Sequence, residues 1–361
     1  MSQKTRYAVI GAGWISQEAF MPAVHQTGNS EITTIITGNG ERARALADFH
    51  GVAHVGGYDD YDRMLGEDLF DAVYIALPNS MHADFSIRAS NAGKHAMVEK
   101  PLAISVEECE AMIAAAAEAD RWLMTAYRLH CEPATVEVLE RIRSGEIGEV
   151  KFVTASYSFQ SLASNHRLAA EHWGGPLQDI GVYCLNAMRH IFEAEPEEVW
   201  ATKGHGQGDP RFTEVEGTIS ALLRFPGEKM AQFTASFEAG DTDWYRVVGT
   251  KGTIDVDRGF GFLDTPRPVV EVDGKREAIE VENVDHFGAQ IAYFSDCIQN
   301  GLRPEPDGEE GLADVQALLA IEAAAKTGQG QKVTASPRPV HPTREMVRYI
   351  PRTDKRLVFE R

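Results

Sequence analysis

Tyr7-Ala8-Val9-Ile10-Gly11-Ala12-Gly13-Trp14-Ile15-Ser16 opens the chain's regular structure. Four apolar residues in a row read as a short strand, and they run straight into a glycine-x-glycine turn that starts a helix. Glycine at positions 11 and 13 lets the backbone approach a pyrophosphate, and the helix N-terminus at Trp14 and Ile15 supplies donors to it. Ser16 stands where glycine or alanine is usual, and it is small enough for helix and strand to pack closely. Strand before and helix after are the context a dinucleotide-binding turn requires, so Gly11, Gly13, Trp14 and Ile15 are expected at the phosphates.

The next segments repeat the alternation. A second strand, Ile32 to Thr37, ends in Thr37-Gly38-Asn39-Gly40, with Arg42 and Arg44 in the helix beyond. Folds that bind NAD usually carry an acid at this strand end for the ribose 2'-hydroxyl, and that acid would repel a 2'-phosphate. Thr37, Gly38, Asn39 and Arg42 suit NADP rather than NAD, unless the two arginines only decorate an exposed helix. Tyr58, after the following short strand, is a further candidate to stack nearby. The strand Asp71 to Leu77 ends at Pro78-Asn79, and His82 follows within a short turn.

Helix 83–92 then leads into Met97-Val98-Glu99-Lys100-Pro101. Pro101 lacks a backbone donor and disfavours helix before it, so the strand stops there and leaves Glu99 and Lys100 at its carboxyl edge. Ligands of open parallel sheets bind beyond that edge, which makes Lys100 a candidate for chemistry; the plain alternative is a surface lysine after an ordinary strand. A helix over 106–119 and a strand over 123–126 complete an N-terminal Rossmann domain, a doubly wound parallel sheet, over residues 1–126.

At 361 residues the chain exceeds the roughly 250 to 300 at which single cores stop growing, so two domains are expected. The formal net charge of -19 would repel nucleic-acid phosphates and anionic lipid, and excludes both as favoured partners. No segment nears the roughly 18 consecutive apolar residues of a membrane span. The first strand starts at about Arg6 and leaves no room for a signal peptide, which predicts a cytoplasmic location. Cys109, Cys131, Cys184 and Cys297 have no paired spacing, so neither disulfides nor a metal site is expected.

From residue 127 to 336 the pattern changes. A helix over 133–144 precedes strands at 151–159, 199–203, 217–225, 230–237, 245–249 and 253–256, mostly joined by turns such as Pro226-Gly227-Glu228. They predict a C-terminal α+β domain with an open, mostly antiparallel sheet. One face of that sheet needs a cover, so a homo-oligomer, dimer or tetramer, is expected to form through it. Within this region a helix starts at about Pro176 and carries Asp179 and Tyr183 four residues apart on one face. A tyrosine there can act as acid or base for a hydroxyl if a nearby cation favours its phenolate, and Lys100 is the candidate cation. Asp179 could hold that lysine or bind a substrate hydroxyl. The alternative makes Tyr183 a packed aromatic and Asp179 a cap.

GAGWIS, LPNSMH, EKP and GGPLQDIGVY, in this order across the chain, resemble the Gfo/Idh/MocA oxidoreductase family, within it the branch of glucose-fructose oxidoreductases and NADP-dependent aldose dehydrogenases. The resemblance implies that Lys100 is catalytic, that Asp179 contacts substrate and that Tyr183 carries the proton. It implies further that Pro78, Asn79, His82 and Glu99 line the nicotinamide ribose, with Leu77 and Lys100 also among the cofactor contacts. Tyr127-Arg128 corresponds to a pair at the domain junction, Tyr127 toward substrate and Arg128 toward cofactor, and Arg167 belongs to a substrate loop.

The implied activity is NADP-dependent hydride transfer at C1 of an aldose or related carbohydrate, giving an aldonolactone, or the reverse carbonyl reduction, or a coupled aldose-aldose or glucose-fructose exchange. A non-catalytic NAD(P)-sensing regulator and an NAD-using glycosidase are the rival readings. Two departures stand out. The export signal and proline-rich N-terminal arm of glucose-fructose oxidoreductase are lacking, which implies an exchangeable cofactor. His166 replaces a tryptophan before Arg167.

The family layout places helices over 286–299 and 308–327, the second packing back on the cofactor domain. Residues 337–361 form a tail of net charge +4 on an acidic body, expected either to dock on the protein's own or a neighbour's surface or to remain an unstructured extension.

Overall fold

The computed structural model describes residues 4–359; Glu360 and Arg361 of the basic tail lie outside the described residues. Six strands, β1 (Thr5–Ile10), β2 (Ser30–Ile36), β3 (His54–Gly56), β4 (Ala72–Ile75), β5 (His95–Val98) and β6 (Leu123–Thr125), form one sheet in the order β3-β2-β1-β4-β5-β6. Every pairing is parallel. Tyr7 to Ile10 and all of β4 are fully buried, as expected of strands covered on both faces. Strand order reverses between β1 and β4, and the glycine turn after β1 stands at that switch point.

The covering helices are α1 (Met21–Val24), α2 (Gly40–His50), α3 (Tyr61–Leu65), α4 (His82–Asn91) and α5 (Val106–Glu118). Their ends follow from sequence. Asn39 accepts the Arg42 N–H to cap α2, Ser105 accepts the Glu108 N–H to cap α5, and Gly51 closes α2 in the left-handed region.

The second sheet has nine strands. These are β7 (Val150–Ser158), β8 (Glu198–Gly204), β9 (Thr218–Phe225), β10 (Lys229–Ser236), β11 (Thr242–Gly249), β12 (Gly252–Asp257), β13 (Arg267–Val272), β14 (Lys275–Ala278) and β15 (Gln331–Lys332). Their order is β14-β13-β12-β11-β7-β10-β9-β8-β15, and only β7 and β10 run parallel. Helix α6 (Pro133–Arg143) meets β13, and α7 (Val182–Phe192) covers β7 and β10. On the opposite face Phe152, Trp200, Leu222, Met230 and Trp244 remain exposed.

Helices α8 (His286–Asn300) and α9 (Gly308–Thr327) follow. The chain divides into two compact units that interleave along the sequence: residues up to 132 with 283–311 and 346 onward, and residues 133–282 with 312–345. The sequence reading closes its first domain at 126 and sets 337–361 apart as a tail. The contacts instead give 346 onward to the first unit and divide α9 after its first turn. In the second unit Arg189, 2% exposed, bridges Glu195 and Asp314, and Asp314 also accepts from Asn186. Such a triad fixes α7 against α9, because removing Arg189 would take the shared cation from two buried carboxylates.

Among the described residues no helix is long and apolar enough to cross a membrane. All four cysteines are buried and free, and burial pushes the Cys109 thiol up to about 12.

Candidate active site

In the first unit, the turn after β1 has the form of a diphosphate cradle. Gly11 sits at φ +91°, and a Cβ there would lie 2.5 Å from the Ala76 carbonyl oxygen, so only glycine lets the turn press against the end of β4. Gly13 has nothing within 4 Å of where its Cβ would be, which leaves the outer side of the turn open to a ligand. Trp14 and Ile15 begin the helix. Ser16 Oγ donates to the Gly11 carbonyl at 2.7 Å and Gln17 Nε2 donates to the Ala12 carbonyl at 2.6 Å, so two buried side chains lock the turn from beneath. These features fit a dinucleotide diphosphate.

The loop after β2 is equally defined. Thr37 is buried, and its N–H donates to the Gly56 carbonyl. Gly38 rests on the Tyr58 ring, where a Cβ would come within 3.3 Å, and Tyr58 in turn meets Phe85 edge-on. Asn39 caps α2, Arg42 is the third residue of that helix, and the Arg44 guanidinium nitrogens lie 3.9 Å from where a Gly40 Cβ would be. Glu41 is the acid of the first turn. Two guanidinium groups near one helix N-terminus fit a phosphate better than a bare ribose hydroxyl.

Around the ends of β4 and β5, buried groups hold the segment that carries Lys100. Leu77 is buried against Gly11, Pro78 leads into the turn Asn79–Met81, and His82 begins α4. The fully buried His82 ring spans two carbonyls, with Nδ1 3.0 Å from the Pro101 oxygen and Nε2 3.0 Å from the Leu77 oxygen. Only a cation could donate to both, yet burial pushes this imidazole down to about 4, so the neutral ring donates to one. Tyr74 OH donates to Glu99 Oε1 at 2.7 Å, and Tyr74 itself stacks on Phe20 with ring centroids 3.7 Å apart. Lys100 is 8% exposed. Tyr127 and Arg128 are also buried: Tyr127 stacks on His130, and Arg128 Nη1 donates to His286 Nδ1 at 3.1 Å. Burial, then the neighbouring Arg128, hold His286 well below the usual range, which makes it an acceptor.

In the second unit, the segment before α7 is built by close backbone approach. A Cβ on Gly174 would lie 2.2 Å from the Arg167 carbonyl oxygen, and Gly175, at φ +121°, donates its N–H to that same oxygen. The tight turn brings Arg167 beside the helix, where its Nε lies 2.9 Å from Asp179 Oδ1. Tyr183, half-buried, meets the Tyr157 ring edge-on with centroids 6.1 Å apart. Gly181 lets this helix sit against β10, since a Cβ there would already touch Phe233 at 3.1 Å. Asp179 is therefore an ion-pair partner of Arg167. His166 lies beside the His172 ring.

Four supporting residues escaped the sequence reading. Gln17 and Tyr74 read there as helix and strand residues, and Phe359 as part of the tail. Glu322 of α9 accepts from Trp173 Nε1 at 3.1 Å and Gln178 Nε2 at 3.0 Å, and burial raises its carboxyl above the usual range. A lone acid at that position of a helix carries no motif.

A cleft of about 560 Å³ opens at the amino edge of the parallel sheet, lined by Lys4, Asp71, Lys94 and Arg121 among others. Lys94 donates to the Phe70 carbonyl and Arg121 to the Gly93 carbonyl, so these cations satisfy chain ends, at the edge opposite the glycine turn.

Residues 5–127 match the oxidoreductase family with an NAD-binding Rossmann fold, and residues 135–255 match the C-terminal domain of the same family. The chain belongs to the Gfo/Idh/MocA oxidoreductase family. It is 33% identical over 330 residues to the D-xylose 1-dehydrogenase [NADP(+)] of Haloarcula marismortui, covering 89% of this chain and 91% of that protein. Among solved structures of this oxidoreductase fold, the aldose-aldose oxidoreductase of Caulobacter crescentus complexed with glycerol is similar with a TM-score of 0.88 and 33% identity, over 92% of this chain and 100% of that one. A 3-ketoreductase from Actinomadura kijaniata in complex with NADP and TDP-benzene gives a TM-score of 0.82 at 29% identity, over 89% of this chain and 98% of that one.

Proposed function

We propose that this member of the family is an NADP-dependent sugar oxidoreductase that moves hydride between the nicotinamide and C1 of an aldose or a related carbohydrate. The aldose-to-aldonolactone direction and the reverse carbonyl reduction use the same groups. The observation that carries the reading is the near full-length likeness to an NADP-dependent xylose dehydrogenase and to an aldose-aldose oxidoreductase. The loop after β2 supports it: Thr37 and Asn39 stand where an acid would select NAD, with Arg42 and Arg44 beside them.

Gly11, Gly13, Trp14 and Ile15 are assigned to the diphosphate, and Thr37, Gly38, Asn39, Arg42 and Tyr58 to the adenosine end. Leu77, Pro78, Asn79, His82, Glu99 and Arg128 are assigned to the nicotinamide end. When bound, the nicotinamide supplies the hydride acceptor. Tyr183 takes the proton of the C1 hydroxyl, and Lys100 supplies the positive charge that favours loss of that proton. Asp179, steadied by Arg167, accepts a hydrogen bond from a second substrate hydroxyl, with Tyr127 as a further substrate contact.

The test is an absorbance scan in the reduced-nicotinamide band with a panel of aldoses and NADP or NAD. Growth of the band with NADP and at least one aldose is expected; no growth with any of them, and no consumption of NADPH with the corresponding lactones, would sink the reading.

We further infer a homo-oligomer in which a second copy covers the open sheet face. Trp200 pairs with Leu222 and Phe152 with Met230 across adjacent strands there, an apolar patch of the kind that marks an interface. Light scattering of Met230→Glu should report smaller particles than the parent chain; a monomeric parent would refute it. Four buried free thiols fit a reducing compartment such as the cytoplasm.

A further inference from the structure

We propose that the segment Arg352 to Phe359 is a strap that holds the adenosine end of NADP(H), so that the C-terminal residues belong to the cofactor site. The inference rests on the NADP reading above and names a part of the chain that no motif assigns to it.

The strap is anchored where α8 begins. Asp285 N–H donates to the Ile350 carbonyl at 2.8 Å, and Arg352 Nε donates to the Val284 carbonyl at 3.1 Å. From there the chain runs along α2 in the opposite direction. The Lys355 ammonium lies 5.9 Å over the Phe49 ring in the last turn of α2, and the Phe359 ring lies 5.7 Å from the Arg42 guanidinium in the first. Seven helical residues rise about 10 Å, and four extended residues reach about 13 Å, so the spacing suits an extended strand laid on the helix.

Its far end is tied to the glycine turn. Arg356 pairs with Glu18, and Gln17 Oε1 accepts the Phe359 N–H at 2.7 Å. The same Gln17 amide donates to the Ala12 carbonyl, so one buried side chain links strap and diphosphate turn directly. The strap therefore touches both the turn assigned to the diphosphate and the arginine assigned to the 2'-phosphate. Phe359 fixes one face of the Arg42 guanidinium, which lowers the ordering cost of any phosphate contact it makes. A cofactor held at that end leaves only after the strap lifts.

The experiment compares the full chain, a chain ending at Pro351 and Phe359→Ala. The NADPH off-rate is followed by reduced-nicotinamide fluorescence in stopped flow, the dissociation constants of NADPH and NADH are measured, and circular dichroism follows folding. Truncation is expected to speed NADPH release about tenfold or more and Phe359→Ala about threefold, with NADH affected less. A melting temperature lowered without a change in off-rate would mark a merely structural tail and overturn the strap, as would slower release, which would make the segment a plug. Where the truncated chain fails to fold, the Phe359→Ala off-rate decides. If the full chain binds no NADPH at all, the cofactor reading falls and takes the strap with it; binding without any strap effect fells the strap alone.

Discussion

Arg167 Nε lies 2.9 Å from Asp179 Oδ1, with the arginine side chain 32% exposed and the aspartate 15%. A charge-assisted pair of this kind fixes the direction in which the carboxylate faces. Arg167→Met is expected to raise KM for the sugar by about tenfold, because the carboxylate loses its orientation while the chemistry of the proton carrier stays. An unchanged KM in steady-state assays would show that the pair only stiffens the loop.

On the proposed mechanism, loss of either Tyr183 or Lys100 should act on kcat. Tyr183→Phe and Lys100→Met are each expected to lower kcat by about 10² to 10⁴, the usual range for a positioned acid or base, with NADP affinity preserved in the tyrosine variant. Single-turnover hydride transfer measures it. A Tyr183→Phe enzyme within about threefold of the parent would return Tyr183 to the role of a packed aromatic beside Tyr157.

Arg42→Ala is expected to raise the dissociation constant for NADP by about 10- to 100-fold while leaving NAD nearly unchanged. Fluorescence titration with both nucleotides separates the outcomes. An equal loss for both would mean that Arg42 supports α2 without reading the 2'-phosphate.

The parallel sheet was legible because its signals are local. The glycine turn, Asn39 before α2 and Pro101 after β5 each act within a few residues. What hid was set by distant partners. Hairpin β13-β14 follows from Asp273-Gly274, which takes up two successive positive φ angles, yet its outer strand is fully exposed and has no alternation to read. The parallel pairing of β7 with β10 joins segments some eighty residues apart, and no turn announces it. Among the candidate residues, Lys100, Asp179 and Tyr183 stood out through motifs, whereas Gln17, Tyr74 and Glu322 act by bonds to residues far along the chain.

Acid should weaken the first unit. Burial pushes His50, His82 and His95 down to about 4 from an ordinary 6.5. A depressed value means that the folded form resists the proton, so the associated stability is fully present above about 6.5 and is lost as pH falls toward 4. For the fully buried His82 the difference corresponds to roughly 3 kcal/mol. Urea unfolding at a series of pH values should show stability falling through that window, with a shallower fall in His82→Asn. A flat profile from pH 7 to 4.5 would contradict it.

Because the first compact unit draws on three separated stretches, the last of them beyond residue 346, it cannot be finished while the ribosome is still adding those residues. The other unit has all its parts by residue 345 and can close earlier, although the strand-helix half was begun first. During synthesis the nucleotide-binding half stays only partly assembled until the stretch from residue 346 has been added.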